Sequence, residues 1–261
     1  MAIFAEKSCL YSDAMVPTID IVIPVLNESK TLESQILKLE KFLNSESELK
    51  FDCRLTIADN GSTDSTCEIA YKIASQFKNI RVLSVGERGV GIALKSAWQS
   101  SECDYVGYMD LDFSTSLQHL VDVESAFLSN YDCAFGSRLL PESVVIGRSL
   151  KRSITSKVFN VAIRSALHSS LSDGMCGFKF LRRELLKDIF QMGADCDGWF
   201  FCTELAVAAQ LSGHRILEIP VTWQDDAESK VRIPSLTLEY IRDIRKFRRR
   251  VNASRKVRHE S

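Results

Sequence analysis

"IDIVIPVLNE", residues 19–28, decides the fold. Its first seven residues are nearly all apolar and mostly β-branched, with no alternating polar face. A strand of that composition is buried on both sides, as in a parallel sheet covered by helices. The same plan then repeats along the chain. From Ser29, apolar residues at 32, 36, 39, 42 and 43 form a helical stripe. "FDCRLTIAD" (51–59) predicts a second strand, and 62–77 a helix with Thr63 as candidate N-cap. "IRVLSV" (80–85) predicts a third strand, 91–101 a helix, and "DYVGYMD" (104–110) a fourth strand. A helix over 116–128 and a strand over 131–138 follow. Strand–helix alternation of this kind implies an α/β fold with a mostly parallel, doubly wound sheet.

Beyond Arg138 the pattern changes. Residues 149–170 predict one long helix, and "SDGMCGFKFL" (172–181) a glycine-punctuated turn with a short apolar run. A helix over 203–212, a strand over 214–223 and a last helix over 235–251 complete the chain. The organisation is read as one domain over 18–232, whose first part (18–115) binds a ligand at the strand ends and whose second part (116–232) covers it. A tail over 233–261 follows.

The 261 residues, 45% hydrophobic and 26% charged, suffice for a real core, and the net charge of −1 points to no generally acidic or basic partner. Charge is concentrated in one place. Between Arg242 and Arg258 lie nine Lys/Arg residues against Asp243 alone, and Leu236, Leu238, Tyr240, Ile241, Ile244 and Phe247 precede or interleave with them. That pattern suits a solvated basic arm or an interfacial helix. Nucleic acid is disfavoured because nothing else in the chain is basic. The eight cysteines form no C-x-x-C pair and several sit in apolar runs, so they read as reduced, in a reducing compartment. The sequence shows no signal peptide and no run of about 20 apolar residues that would span a bilayer.

Ligands of open α/β sheets bind beyond the carboxyl ends of the strands. Four predicted strand ends are polar: Pro24-Val25-Leu26-Asn27-Glu28, Asp59-Asn60-Gly61-Ser62-Thr63-Asp64, Glu87-Arg88-Gly89-Val90-Gly91 and Asp110-Leu111-Asp112. Each alone also fits a helix cap or turn. On one sheet edge together they mark a site. Asp110 and Asp112 stand two apart at a strand end, where both carboxylates can converge on one hard divalent cation; the alternative is that Asp112 caps the next helix. G-x-G-x-x-G, G-x-x-x-x-G-K-[ST], H-E-x-x-H and G-x-S-x-G are all absent, which argues against a standard dinucleotide fold, a P-loop, a zincin and a serine hydrolase.

"VIPVLNE", "ADNGSTDST" and "MDLDFS" together resemble the inverting family 2 glycosyltransferases of GT-A fold. "GSR" (136–138), "KRSITSKVFN" (151–160), "SDGMCGFKFLRRE" (172–184), "GWFFCTELAVAAQLSGHRILEIPVTW" (198–223) and "ESKV" (228–231) resemble, within them, the polyprenyl-phosphate sugar synthases such as dolichyl-phosphate mannose synthase. The resemblance implies a nucleotide-diphosphate sugar donor, a dolichyl or undecaprenyl phosphate acceptor, and Mg²⁺ or Mn²⁺. It places Pro24, Asn27, Glu28 and Asp59 at the nucleotide, Asp110 and Asp112 at the metal and donor diphosphate, and Lys230 at the donor phosphates. Arg138, Arg152 and Ser156 match acceptor-phosphate positions; Arg152 and Ser156 are one helical turn apart and share a face. Ser114 stands where relatives often carry a Gln beside the metal. Asp173 is the candidate catalytic residue, orienting the acceptor or taking a proton, with Glu204 the competing one. The expected location is cytoplasmic, peripheral at the membrane face, through the basic helix or a membrane-protein partner. A family 2 enzyme with a soluble or glycan acceptor, a nucleotidyltransferase, and a non-catalytic sugar-nucleotide binder are the alternatives.

Overall fold

In a computed structural model, residues 16–45, 49–224 and 233–260 are described. The strands are β1 (Thr18–Val25), β2 (Asp52–Asp59), β3 (Ile80–Ser84), β4 (Tyr105–Met109), β5 (Cys133–Ser137), β6 (Val144–Ile146), β7 (Phe178–Arg182), β8 (Ile216–Pro220) and β9 (Thr222–Gln224). The helices are α1 (Leu32–Ser45), α2 (Thr66–Ala74), α3 (Val90–Gln99), α4 (His119–Leu128), α5 (Leu150–Leu167), α6 (Leu186–Gln191), α7 (Phe201–Leu211) and α8 (Ile233–Glu260).

Seven strands form one sheet in the order β3-β2-β1-β4-β7-β5-β8. β1 runs parallel to β2 and β4, and β5 parallel to β8. β7 is antiparallel to both neighbours, with Met109 opposite Phe178 on β4. The two-faced burial predicted for residues 19–25 is observed. Ile21 and Ile23 pack with Leu32, Ile36 and Leu39 of α1, with α2 and with α4. Val22 and Tyr108 face α3, α5, α6, α7 and α8. The one polar residue inside this run, Asp20, is satisfied across three strands: Thr56 donates to Oδ1 at 2.7 Å and Arg81 to Oδ2 at 2.9 Å.

Four details differ from the sequence reading. The short apolar run after "SDGMCG" is a full central strand, β7. The predicted strand over 214–223 breaks at Val221 into β8 and β9, and β9 pairs with β6 in a separate two-stranded ribbon. Thr63 does not cap α2, which begins at Thr66; Thr63 instead donates its amide to Asn27 Oδ1 at 2.8 Å. Part of the apolar side of α8 is spent inside the protein, while Ile241 is exposed and the side chains of Leu236 and Leu238 lie outside the described residues. Ile244, Phe247 and Val251 are buried in the core, and Tyr240 packs against the rings of Phe159 and Phe200. Burial of a Phe side chain such as Phe247 is worth up to about 3 kcal/mol. Seven cysteines fall in described residues and all are free thiols.

Candidate active site

The site lies where the strand order reverses, between β1 and β4, at the carboxyl ends of both. Pro24 helps to open that edge. The β1–β4 ladder ends at Val22–Tyr108, two residues before a proline that has no amide hydrogen to give, while β1 continues beside β2 to Val25–Asp59. Asn27 then adopts a left-handed conformation (φ 55°). Its amide donates to Ser62 Oγ at 2.9 Å, and the Glu28 amide donates to Thr66 Oγ1 at 2.8 Å. The loops after β1 and β2 are thereby stitched together. Asp64, which accepts from the Thr66 hydroxyl and from the Thr66 and Ser29 amides, titrates at about 2. Asp59 is buried beneath these loops, accepting from the Ser62 amide at 3.3 Å and from Ser84 Oγ at 3.5 Å.

Asp110 follows β4 directly. Burial, then the charge of Asp112, raises its carboxyl to about 7, against opposing pulls from Arg138 and Lys179. Its Oδ1 is buried and has no hydrogen-bond partner among the described residues. Asp112 is exposed and accepts from Ser114, by the amide at 2.9 Å and by Oγ at 2.8 Å. Ser114 therefore orients Asp112 through its own backbone and side chain, and Asp112 closes a local turn rather than capping α4. Between them Phe113 is held in the left-handed region (φ 48°), a strained setting for an aromatic residue and of the kind found at ligand sites. An orphaned, buried carboxylate oxygen beside a second carboxylate fits a divalent cation, which takes one or two carboxylates and fills its remaining positions from substrate phosphates and water. No group of three or more His, Cys, Asp or Glu side chains that could by itself hold a metal ion is found among the described residues.

Gly177 makes room for Asp110. A Cβ there would lie 2.0 Å from Asp110 Oδ2. Because β7 is antiparallel, the segment leading into it, residues 172–177, arrives at the same edge as the end of β4. It carries Asp173. This carboxylate accepts from Arg138 Nε at 2.7 Å and Nη2 at 3.0 Å, from the Arg138 and Met175 amides, and from Asn160 Nδ2 at 3.4 Å. The Arg138 charge and these bonds overcome burial and hold Asp173 at about 2. Arg138 stacks on Trp223, with Cζ 4.8 Å from the ring centroid, and its Nη1 side takes no part in the pair. Glu218 on β8 fixes the turn, accepting the Ser172 amide at 2.9 Å and Ser172 Oγ at 2.6 Å.

Ser156 and Asn160 share the inner face of α5. Ser156 Oγ is buried with no partner among the described residues, while Asn160 bonds both Asp173 and the Gly174 amide. Arg152 lies on α5 one turn before Ser156, where side chains are not described, and Lys230 lies outside the described residues. Glu204 sits apart from the pair. It is fully buried and accepts the amides of Asp195 and Cys196 and the guanidinium of Arg250; burial nonetheless pushes its carboxyl up. The third polar strand end is closed rather than open. The Asp197 carbonyl accepts the amides of Gly91 and Ile92 at the start of α3, and side chains at Gly89 or Gly91 would collide with the backbone of 196–197.

Sequence reasoning passed over Gly177, Glu218, Trp223 and Lys179. Lys179 is a fully buried lysine on β7 whose ammonium donates to the Cys176 carbonyl and lies 5.8 Å from the Phe135 ring centroid. Lysine inside the apolar run "GFKFL" was the available signal, since an unpaired buried ammonium is costly.

The glycosyl transferase family 2 domain matches residues 20–190. The chain belongs to glycosyl transferase family 2. This agrees with the motif series, and the sheet is that of a GT-A-like fold. The transferase chain is 34% identical over 219 residues to glycosyltransferase AglD of Haloferax volcanii, covering 82% of this chain but 34% of AglD. It is 30% identical over 241 residues to the dolichyl-phosphate beta-glucosyltransferase of Dictyostelium discoideum, covering 88% of this chain and 73% of that protein. Its fold resembles glucosyl-3-phosphoglycerate synthase from Mycobacterium tuberculosis in complex with Mn²⁺ and UDP-glucose, with a TM-score of 0.62 at 21% identity, covering 90% of this chain and 79% of that one.

Proposed function

We propose that this chain transfers a hexose from a nucleotide-diphosphate sugar to a polyprenyl phosphate, with inversion at the anomeric carbon. One observation carries the reading. A carboxylate pair suited to a cation, Asp110 and Asp112, and an arginine suited to a phosphate, Arg138, sit on one sheet edge, close enough that Asp110 and Arg138 shift each other's ionisation. The names of the relatives support the acceptor, since the Dictyostelium protein is a dolichyl-phosphate glucosyltransferase.

Asn27, Glu28 and Asp59 line the nucleotide side, and Lys230 serves the donor phosphates. Asp110 and Asp112 hold Mg²⁺ or Mn²⁺, which when bound supplies positive charge against the donor diphosphate. Arg138, Arg152 and Ser156 receive the acceptor phosphate. A phosphate monoester has its second pKa near ~6 and is largely a dianion at neutral pH, so an acceptor oxygen attacks the anomeric carbon without a strong base. The new carbon–oxygen bond forms as the bond to the nucleoside diphosphate breaks, and that group leaves with the electron pair. Asp173, ionised at about 2, is a poor proton acceptor; its part is to hold Arg138 aimed at the phosphate.

A peripheral membrane contact belongs to the same reading. On α5 the face opposite Ser156 exposes Ile154 (62%), Val158 (64%) and Val161 (50%), and the helix has no acidic residue. Arg245, Arg248 and Arg249 of α8 are exposed as well. Apolar residues beside cations suit an anionic lipid surface. The test is a panel of radiolabelled UDP- and GDP-hexoses with a short polyprenyl phosphate and, separately, a soluble phosphorylated acceptor, each with and without Mn²⁺. Label should enter the lipid fraction in the presence of the cation; transfer only to the soluble acceptor would refute the assignment.

A further inference from the structure

The segment Asp195–Gly198 is gripped from two sides. On the donor side, α3 donates the Gly91 and Ile92 amides to the Asp197 carbonyl, at 2.8 and 3.3 Å. Lys95 of α3 adds bonds to the Asp195 carbonyl at 2.9 Å and to Asp197 Oδ1 at 2.8 Å. The approach is so close that a Cβ at Gly91 would stand 2.0 Å from the Cys196 carbonyl oxygen, and one at Gly89 would stand 2.4 Å from that of Asp197. The Gly89 amide in turn donates to the side chain of Asn60, the residue after Asp59 at the end of β2.

On the far side stands Glu204. Its Oε2 accepts the Asp195 amide at 2.8 Å and the Cys196 amide at 2.7 Å, and its Oε1 accepts from Arg250 of α8. Arg250 Nε also donates to the Gly193 carbonyl at 2.7 Å. A continuous run of hydrogen bonds thus leads from α8 through Glu204, the 195–197 backbone and the glycine loop to the end of β2. A fully buried carboxylate is expensive to keep unless its partners are worth holding in place. None of these groups faces the Arg138–Asp173 pair, so nothing in the transfer step uses them directly.

We propose that Glu204 is a positioning residue for the donor edge: with Arg250 it clamps segment 195–198 against the glycine loop 86–91, and that loop, through the Gly89 amide, holds Asn60 in place beside Asp59 on the nucleotide side. This rests on the proposed nucleotide site at the ends of β1 and β2. It also removes Arg250 from the set of free cations on α8.

Glu204→Gln keeps the shape and removes the charge, and Arg250→Met releases the clamp from α8 while leaving α7 intact. UDP and GDP are titrated calorimetrically in Mn²⁺ into the full chain, and donor and acceptor KM are measured separately. Losing one charge-assisted bond corresponds to about a tenfold change, so in both variants the Kd of whichever nucleotide the wild type binds, and the donor KM, should rise about tenfold. The polyprenyl-phosphate KM should stay where it is. A folded variant that binds nucleotide like the wild type would overturn the inference. So would an equal rise in both KM values, or failure of both variants to fold, since each makes the pair a general brace. Failure of the wild type to bind either nucleotide would instead overturn the donor site itself.

Discussion

Gly177→Ala puts the proposed cation site under the most local strain available. The added Cβ would stand 2.0 Å from Asp110 Oδ2, 2.6 Å from its Cγ and 2.9 Å from Oδ1. Side-chain carbons essentially never approach a heavy atom within 3.0 Å, so the carboxylate must retreat by at least about 1 Å, a misplacement that costs on the order of a hundredfold in rate at a reacting centre. Asp110 cannot yield by rotating freely. Its carboxylate is enclosed, it directly follows β4, and Gly177 directly precedes β7, whose Phe178 is paired with Met109. Overpacking elsewhere costs about 1–3 kcal/mol of stability, so the variant should still fold, which a thermal melt checks. Manganese affinity is read by electron paramagnetic resonance of free Mn²⁺, and turnover by sugar transfer to lipid. We expect both to fall about a hundredfold together. A folded Gly177→Ala protein that binds Mn²⁺ and turns over like the wild type would refute the role given to Asp110.

The other predictions concern single groups. Without metal, the folded protein holds Asp110 protonated up to about 7, whereas the unfolded chain releases that proton near its ordinary 3.8. The resulting stability is complete below pH 3.8, declines above it and is gone beyond pH 7, about 4 kcal/mol over the window. Metal-free Asp110→Asn should therefore melt above the wild type at pH 8 while being inactive, and a lower melting temperature would contradict the shift. Arg138→Met strands a buried carboxylate and should destabilise by about 3–5 kcal/mol. The double change Arg138→Met with Asp173→Leu should recover most of that stability in urea melts and none of the activity. Ser156→Ala removes a hydroxyl with no partner among the described residues, so the melting temperature should hold while the acceptor KM rises several-fold. For membrane contact, Val158→Asp with Arg248→Ala and Arg249→Ala should abolish co-sedimentation with anionic liposomes, and unchanged pelleting would argue against it.

The parallel half of the fold was legible because its signals are local. Strands buried on both faces have continuous apolar runs, and helices have stripes, so β1 to β5 and their helices follow from Ile19 to Arg138 in order. The polar strand ends were legible for the same reason. The direction of β7 was not, because an apolar run reads alike in both directions, and only the pairing of Phe178 with Met109 shows that Gly177 abuts Asp110 and that the segment carrying Asp173 arrives at the same edge. Partners far apart in sequence left no mark either. Arg138 and Asp173 are 35 residues apart, and Glu204 and Arg250 are 46 apart. Arg250 read as one more cation of a basic tail, yet it serves a buried carboxylate. The polar strand end Glu87–Gly91 was read as part of a ligand site, and the immediate use of Gly89 and Gly91 is to let the backbone of 196–197 pack against α3.

The most direct measurement is the structure of the product. The chain is incubated with an α-linked nucleotide-diphosphate hexose, a short polyprenyl phosphate and Mn²⁺, and the lipid product is read by proton and phosphorus magnetic resonance at the anomeric position. We predict a single lipid-linked β-hexosyl phosphate, formed by wild type and absent with Asp112→Ala. An α-linked product, or free hexose with no lipid-linked sugar, would contradict the reaction assigned to this site.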